Sequence, residues 1–549
     1  MRPTADLILQ NGRIYTCDPA RPWAAAVAIR NGRYIAIDEV EAVRATSTRS
    51  IDLKGRMAMP GVTDIHAHML MGGQAEMFDL NFPASLGVDG ICEAVRAWAG
   101  KQPLGGWIVG AQFGTDKLAQ LNTAEALAKL DAAAPGHAVL LRDDTHHNRW
   151  VNSETLRRCG VTAESANPER GEFGRDPATG ALTGMLIESA SGIAERALDA
   201  SGHYSDEMNQ AAMERSIRTL NAYGVTSFLE AASMKPIMAA LKGLDDRGAL
   251  TAWAGCSMPA VEPSFMFGTS GDDLIALREQ FRSRHVKPDF VKFFLDGVPG
   301  FKTAAFHEPY SPDPIRGCCF RGQTLMTYPD LIRWLGKCEK LGLSVKIHCA
   351  GDAAVTQALD AIDVVRSFNG PTALQHQIAH ASYITPDDVK RFGELGVVAD
   401  LSPIIWYPTF FLEGHKLAMG VERAERFWPN RDLNESGALM SGGSDWPVIP
   451  NPNPWNGVEG MVTRRNPSGE FGEATLWPEQ ALDLDTVLKI YTINGARAMG
   501  MQGVTGSVEI GKSADLVVLD RNLFETAPQD LGDTQVLTTY FEGRVVHER

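Results

Sequence analysis

The amino-acid sequence predicts an α/β protein: a (β/α)8 TIM-like barrel, with a small β-sandwich domain built from both chain ends and an insertion after the first barrel strand. Three observations carry this expectation. A βα rhythm runs from about residue 223 to residue 500, the two chain ends share a texture of short strands and tight turns, and the stretch 70–204 is far longer than a normal βα connection.

At the N-terminal end, Leu7-Ile8-Leu9 precedes Asn11-Gly12, and Ala26-Val27-Ala28-Ile29 precedes Asn31-Gly32. Each Asn-Gly marks a hairpin, because both residues tolerate positive φ. The tail repeats this pattern around 514–519, 536–541 and 545–546, so residues 1–58 and 505–549 are expected to pair into one composite β-sandwich domain. The barrel then occupies 59–504, with 70–204 as an inserted subdomain able to roof the site. Its strands are expected at His66 and at 225–229, 250–254, 290–294, 343–348, 372–376, 397–401 and 439–442. Amphipathic helices fit 206–222, 234–246, 329–341, 353–368, 386–395 and 484–498, and Thr385-Pro386 has the form of a helix start.

Of the 549 residues, 44% are hydrophobic and 22% charged, with a formal net charge of -15. That balance suits a soluble enzyme-sized chain and argues against nucleic acid or an anionic membrane as partner, which leaves a small-molecule substrate. The first thirteen residues carry charges and no long apolar core, and no run approaches the ~20 apolar residues of a membrane span. Eight scattered cysteines show neither paired C-x-x-C spacing nor the density of a disulfide scaffold. A cytoplasmic location is therefore expected, and a homo-oligomer is left open.

The chemistry concentrates around Pro60-Gly61-Val62-Thr63-Asp64-Ile65-His66-Ala67-His68. In a strand, His66 and His68 share one face and can converge on a metal ion, although two ligands leave such an ion under-coordinated. Further reactive groups are expected at the C-terminal ends of barrel strands, and the polar outliers Lys292, His348, His380 and Asp445 fall there. Each has a plainer alternative: a snorkelling lysine, a satisfied core histidine, or a turn residue in Ser444-Asp445-Trp446-Pro447. Carbon dioxide would convert the lysine amine to a carbamate, an anion able to bridge two cations. Nucleophile chemistry has less support, since Cys349 is expected to face away from the site and no G-x-S-x-G elbow is present.

Taken together, the 60–68 segment, Val291-Lys292-Phe293-Phe294-Leu295-Asp296-Gly297, His348-Cys349-Ala350-Gly351-Asp352, His376-Gln377-Ile378-Ala379-His380 and Gly443-Ser444-Asp445 resemble the amidohydrolase superfamily. The nearest branch is the YtcJ-like group, which includes N-substituted formamide deformylases. Thr492-Ile493-Asn494-Gly495-Ala496 and the 506–517 segment resemble that superfamily's return to its β-domain, and 147–153 resembles a piece of the same branch's insertion. The resemblance implies a barrel with one or two divalent ions, zinc by ligand type. His66 and His68 would hold the more buried ion, carbamylated Lys292 would bridge, His348 and His380 would hold the second, and Asp445 would bind metal and manage the proton. Departures from the branch pattern, Gln375, Gln377 and Ala379 around His376, and Thr145-His146 before His147, leave these ligands intact and bear on substrate choice.

The expected reaction is hydrolysis of an amide-like C–N bond, N-formyl or N-acyl, by an activated hydroxide. Alternatives on the same site are decarboxylation, deamination or hydrolytic C–C cleavage, and, from another class, a silent binding scaffold on the same fold. Rings expected at the barrel mouth, among them Trp150, Phe301, Trp406 and Trp446, favour a small, largely apolar or aromatic substrate. His147, His307 and His376 are the candidate polar contacts.

Overall fold

Apolar runs that are buried along their whole length need cover on both faces, and a parallel sheet ringed by helices provides it. In the computed structural model, which describes residues 4–263, 267–312, 314 and 316–549, eight parallel strands lie in one sheet in chain order. They are β1 (Val62–Ala67), β2 (Val225–Glu230), β3 (Trp253–Pro259), β4 (Val286–Phe294), β5 (Ser344–Cys349), β6 (Gln377–His380), β7 (Val398–Leu401) and β8 (Leu439–Gly442). The sheet curls until its edges nearly close. Just past β8, the Asp445 N–H donates to the His66 carbonyl at 2.7 Å and the His68 N–H donates to the Trp446 carbonyl at 2.8 Å.

Two strands lie further along the chain than their apolar runs suggest. The third begins at Trp253 rather than 250, since Gly255, Ser257 and Pro259 interrupt a strand that is nevertheless buried throughout. The sixth is not 372–376 but Gln377–His380, whose ladder pairs Gln377 with Lys346 and His380 with Cys349. The amide of buried Gln377 donates there to the Ala498 carbonyl at 2.8 Å, so a polar strand was hidden behind the more apolar stretch preceding it. The helix expected over 484–498 is two, Leu484–Ile490 and Ile493–Ala498, broken at Thr492 where ψ is -97°. Asp206–Ala222 and Pro386–Leu395 match their expected bounds, and the Thr385 hydroxyl caps the second by accepting from the Asp388 N–H at 3.2 Å.

The chain ends interleave. A six-stranded sheet runs Arg544–Glu548, Val536–Phe541, Leu516–Leu519, Met57–Pro60, Arg13–Tyr15, Trp23–Ala24, and a four-stranded sheet combines Arg33–Ile37, Val27–Arg30, Leu7–Gln10 and Arg49–Asp52. One apolar cluster draws on both, with Leu9 and Ile29 from the smaller sheet and Ala58, Leu516 and Tyr540 from the larger. Pro60-Gly61 hands the chain from this sheet to β1, where a Cβ at Gly61 would come within 2.0 Å of the Thr226 hydroxyl. Between β1 and β2, a third sheet of six strands from Leu80–Asn81 to Leu182–Glu188 closes over its own core of Ile91, Phe113, Leu130, Leu141 and Trp150. Among the described residues no helix is long and apolar enough to cross a membrane.

The far end of the barrel is pinned to the C-terminal strands by a charge cluster. His285 Nδ1 lies 2.5 Å from Asp245 Oδ1 and Nε2 lies 3.3 Å from Glu542 Oε2. Burial alone would lower the imidazole pKa, but Glu542 and Asp245 outweigh it and raise it. A raised histidine pKa contributes stability that is complete below about pH 6.5 and fades as pH rises through the folded-state value. His285→Gln should therefore destabilise the protein by about 2 kcal/mol at pH 6 and by less at pH 8.5, read as the shift in urea midpoint.

Candidate metal centre

Alternation along β1 buries Ile65 on the outer face and aims His66 and His68 into the barrel. Asp64 fixes this turn of the chain: its carboxylate accepts from the His66 N–H at 3.1 Å and, across the seam, from the Ser444 N–H at 3.0 Å and the Ser444 hydroxyl at 2.6 Å. Asp445, held with φ at 56°, then points back between the two histidines. Its Oδ1 is 3.6 Å from His66 Nε2 and 3.5 Å from His68 Nε2.

The remaining expected ligands converge on the same space. Lys292 Nζ, on β4, lies 3.4 Å from His66 Nε2. The His380 ring centroid is 5.0 Å from that of His66 and 4.4 Å from that of His348. Three of these histidines, His66, His348 and His380, are each oriented by an acceptor behind the ring, which fixes the tautomer. His66 Nδ1 is 2.8 Å from Asp400 Oδ2, His348 Nε2 is 3.1 Å from the Gly297 carbonyl, and His380 Nδ1 is 2.9 Å from the Ser402 carbonyl. The opposite nitrogen of each ring keeps its lone pair.

Electrostatics favour the ligand forms. Burial, followed by repulsion from neighbouring cationic groups, holds the pKa values of His66, His348 and His380 well below 6.5, so these imidazoles are neutral near pH 7. Burial and the adjacent Lys346 push the Lys292 amine down to about 7. Ligand atoms of His66, His68 and Asp445 all lie within 4.8 Å of one another. Neutral, anchored imidazoles at His66, His348 and His380, together with His68 and the Asp445 carboxylate, are a donor set that fits a divalent ion of the zinc type.

The cavity at this end of the barrel is lined by His66, His68, Lys292, His348, His380 and Asp445, with Thr145, His146 and His147 entering from the insertion. His147 Nδ1 sits 3.2 Å from Glu188 Oε2; burial opposes its protonation, but Glu188 outweighs burial and raises its pKa. The other residues expected at the mouth lie elsewhere. Trp150 is in the insertion core, donating to the Thr183 carbonyl at 3.2 Å, and Phe301 packs into the same cluster. His307 is an exposed partner of Thr356, at 2.9 Å. His376 precedes β6 at the opposite end of the barrel, 3.2 Å from Glu339. Trp406 donates to the Gly457 carbonyl at 3.2 Å, and Trp446 packs on Gly72, where a Cβ would meet its ring at 2.3 Å. Large rings near a mouth are here recruited to join helices and insertion to the barrel, and the lining falls instead to Phe294, Phe411, Phe427 and Trp428.

Sequence reasoning passed over Lys346 and Asp400, although each interrupts an apolar strand as Lys292 does. Lys346 is the register partner of Lys292, and its amine donates to the Asp400 carboxylate that also holds His66. Gln112 was missed too. Its amide donates to the Pro447 and Val448 carbonyls at 2.7 and 2.8 Å and so ties the insertion to the segment following Asp445.

Comparison with known proteins places these features in context. The model of a family described as "Amidohydrolase family" (Amidohydro_3) matches residues 49–547. The chain is 28% identical to Protein LONG AFTER FAR-RED 3 of Arabidopsis thaliana, over 99% of this chain and 92% of that one. It is 26% identical to the N-substituted formamide deformylase of Arthrobacter pascens, over 100% of this chain and 99% of that one. A crystal structure of an uncharacterized metal-dependent hydrolase from Pyrococcus horikoshii OT3 superposes with a TM-score of 0.72 at 24% identity, covering 95% of this chain and 99% of that one, and so shares the fold.

Asp400→Asn removes the carboxylate behind His66 and should weaken divalent-metal binding about 10–100-fold, measured by chelator competition. The same change strands the Lys346 ammonium in the core and should lower the melting temperature. Adding Lys346→Met should restore much of that stability without restoring metal affinity.

Proposed function

The chain belongs to the amidohydrolase family, and from that premise we propose that it hydrolyses an amide-like C–N bond, N-formyl or N-acyl, of a small, largely apolar or aromatic substrate. The observation that carries this reading is the mixed lining of the cavity. His66, His68, Lys292, His348, His380 and Asp445 gather there, and Met71, Phe294, Val298, Ile405 and Phe411 complete the lining with apolar surface. Lys292 is the one lysine or arginine among its described lining residues, so a substrate carboxylate would find no guanidinium to receive it. The deformylase activity named for the Arthrobacter pascens relative is compatible with such a pocket.

His66, His68, His348, His380 and Asp445 would hold the metal, with zinc favoured by nitrogen and carboxylate donors. A divalent ion there supplies Lewis acidity, ionising water near neutral pH and polarising a carbonyl oxygen. An amine pushed down to about 7 is partly neutral at pH 7, the form that adds carbon dioxide; a carbamate on Lys292 would form with release of one proton and complete the ligand set. Asp445, within 3.6 Å of His66 and His68, takes the proton from the attacking water and returns it to the leaving nitrogen. His147, whose pKa Glu188 raises against burial, offers an N–H toward substrate oxygen from the insertion side. The apolar lining keeps bulk water away from the bond being cleaved.

The same reading takes 1–58 with 505–549 as a β-sandwich domain, supported by the apolar cluster common to the two terminal sheets, and 59–504 as the barrel carrying the 70–204 insertion. It assigns the protein a small-molecule partner and a cytoplasmic place of work.

Metal analysis of purified protein should find roughly one or two divalent ions per chain. Asp445→Asn should retain the fold and lose about two to four orders of magnitude in turnover. In a panel of matched amides with benzyl, alkyl and charged substituents, the benzyl and alkyl members should be hydrolysed fastest. Phe294→Ala and Phe411→Ala should each cut kcat/KM for them about tenfold. Preference for the charged members would reject the apolar-substrate assignment, and full activity without metal would reject the mechanism.

A further inference from the structure

The cavity is partly walled by Val298 and Pro299, and the chain beyond them folds back over itself before reaching the next helix, Tyr328–Lys340. Two backbone bonds close this excursion, the Phe306 N–H to the Arg321 carbonyl at 2.9 Å and the Tyr310 N–H to the Phe320 carbonyl at 2.8 Å. Beside the second of these bonds, Cys318 and Cys319 are neighbours in sequence, both exposed, with their sulfurs 3.4 Å apart. Consecutive side chains in extended backbone point to opposite sides. This turn instead places both thiols on one side, in S–H···S contact.

The other six cysteines are chemically quiet by comparison. Cys17, Cys92, Cys256, Cys338 and Cys349 are buried and Cys159 is half-buried. Burial pushes the thiols of Cys17, Cys256 and Cys338 up to about 12 and those of Cys92 and Cys159 to about 11. Thiolate is the reactive form; Cys318 raises the Cys319 thiol too, but these two are the exposed cysteines, so exchange chemistry in the folded protein falls to them by access.

We propose that Cys318 and Cys319 form a reversible modification site, a vicinal dithiol that closes to a disulfide by exchange with a small glutathione-type disulfide. One cysteine thiolate attacks the small disulfide, forming a mixed disulfide and releasing one small thiolate. The second cysteine, deprotonated, attacks the protein sulfur of that mixed disulfide and releases the other small thiolate. The protein loses two electrons and two protons and gains one S–S bond; the small disulfide gains the electrons, and its two thiolates take up the protons. Proximity makes the second step intramolecular and fast, so the mixed disulfide does not persist. Adjacent Cα atoms are about 3.8 Å apart across a trans peptide, closer than the roughly 4.4–6.8 Å usual for disulfides, so the ring is strained and readily reduced again. Two residues before the pair, Arg316 donates to the Phe301 carbonyl at 3.5 Å and lies 3.4 Å from Glu172 of the insertion. Ring closure would thus be felt at this contact with the insertion.

The test is peptide mapping of the intact, folded protein after incubation with defined ratios of oxidised to reduced glutathione and acid quenching. Wild type should lose two hydrogens in mass, with the cross-link located between Cys318 and Cys319, and dithiothreitol should restore both thiols. Cys318→Ser and Cys319→Ser should each stop at a glutathione adduct on the remaining cysteine. A lasting glutathione adduct in wild type, unmodified thiols at ratios that oxidise a free dithiol peptide, or a cross-link to another cysteine would each overturn the proposal. The wild-type map decides it without either variant.

Discussion

The seam between the first and last barrel strands is the constraint on which the rest of the molecule depends. Asp64 sits in it, a buried carboxylate whose pKa burial pushes up to about 6, accepting from the backbone of His66 and from both donors of Ser444. Without it three donors would be orphaned in a dry interior, at a cost of about 1–3 kcal/mol each. Closing the sheet and setting His66, His68 and Asp445 around one point are therefore the same act. The left-handed turn at Asp445 is held because its N–H and the Trp446 carbonyl are both committed to β1. The ligand set is thus rigid before any ion arrives.

That rigidity is bought with buried charge. Lys292, Lys346 and Asp400 lie in the barrel interior, where an uncompensated ion costs several kcal/mol. Asp400 offsets part of this by accepting from Lys346 and from His66 together. Such a pair adds little net stability, and its value lies in fixing the His66 ring and in lowering the Lys292 amine through the second lysine. The apolar shell of β-strands and helices around it supplies the stability that the site draws down.

What could be read from the residues follows the same division. Asp206–Ala222, Pro386–Leu395 and β8 were legible because apolar period, caps and length agree. β6 was misplaced by its polarity: Gln377 and His380 are there for packing support and for the site, and both disguise a strand. The expected ligands converge because strand ends are the one place where a parallel barrel exposes polar groups to a common space. The aromatic residues do not obey such a rule. Trp150, Trp406 and Trp446 are near the mouth in sequence, but a ring is as useful for gluing layers as for holding a ligand, and nothing local distinguishes the two. Lys346 and Asp400 were legible in principle, as charges inside apolar strands, and became meaningful only when the register set one beside Lys292 and the other behind His66.

The insertion leaves the barrel immediately after His68 and returns to it before β2, with both attachment points at the same rim. It contributes Thr145, His146 and His147 to the cavity and the Gln112 clamp on the 447–448 segment, but none of the six residues of the expected ligand set. The six expected ligand positions thus lie wholly outside the insertion, whereas the cavity wall is shared, with Met71 and 145–147 from the insertion and Phe294, Val298, Ile405 and Phe411 from the barrel. A lineage could exchange the roof and keep the hearth, redrawing one side of the cavity by grafting a contiguous segment while the six ligand positions are inherited intact.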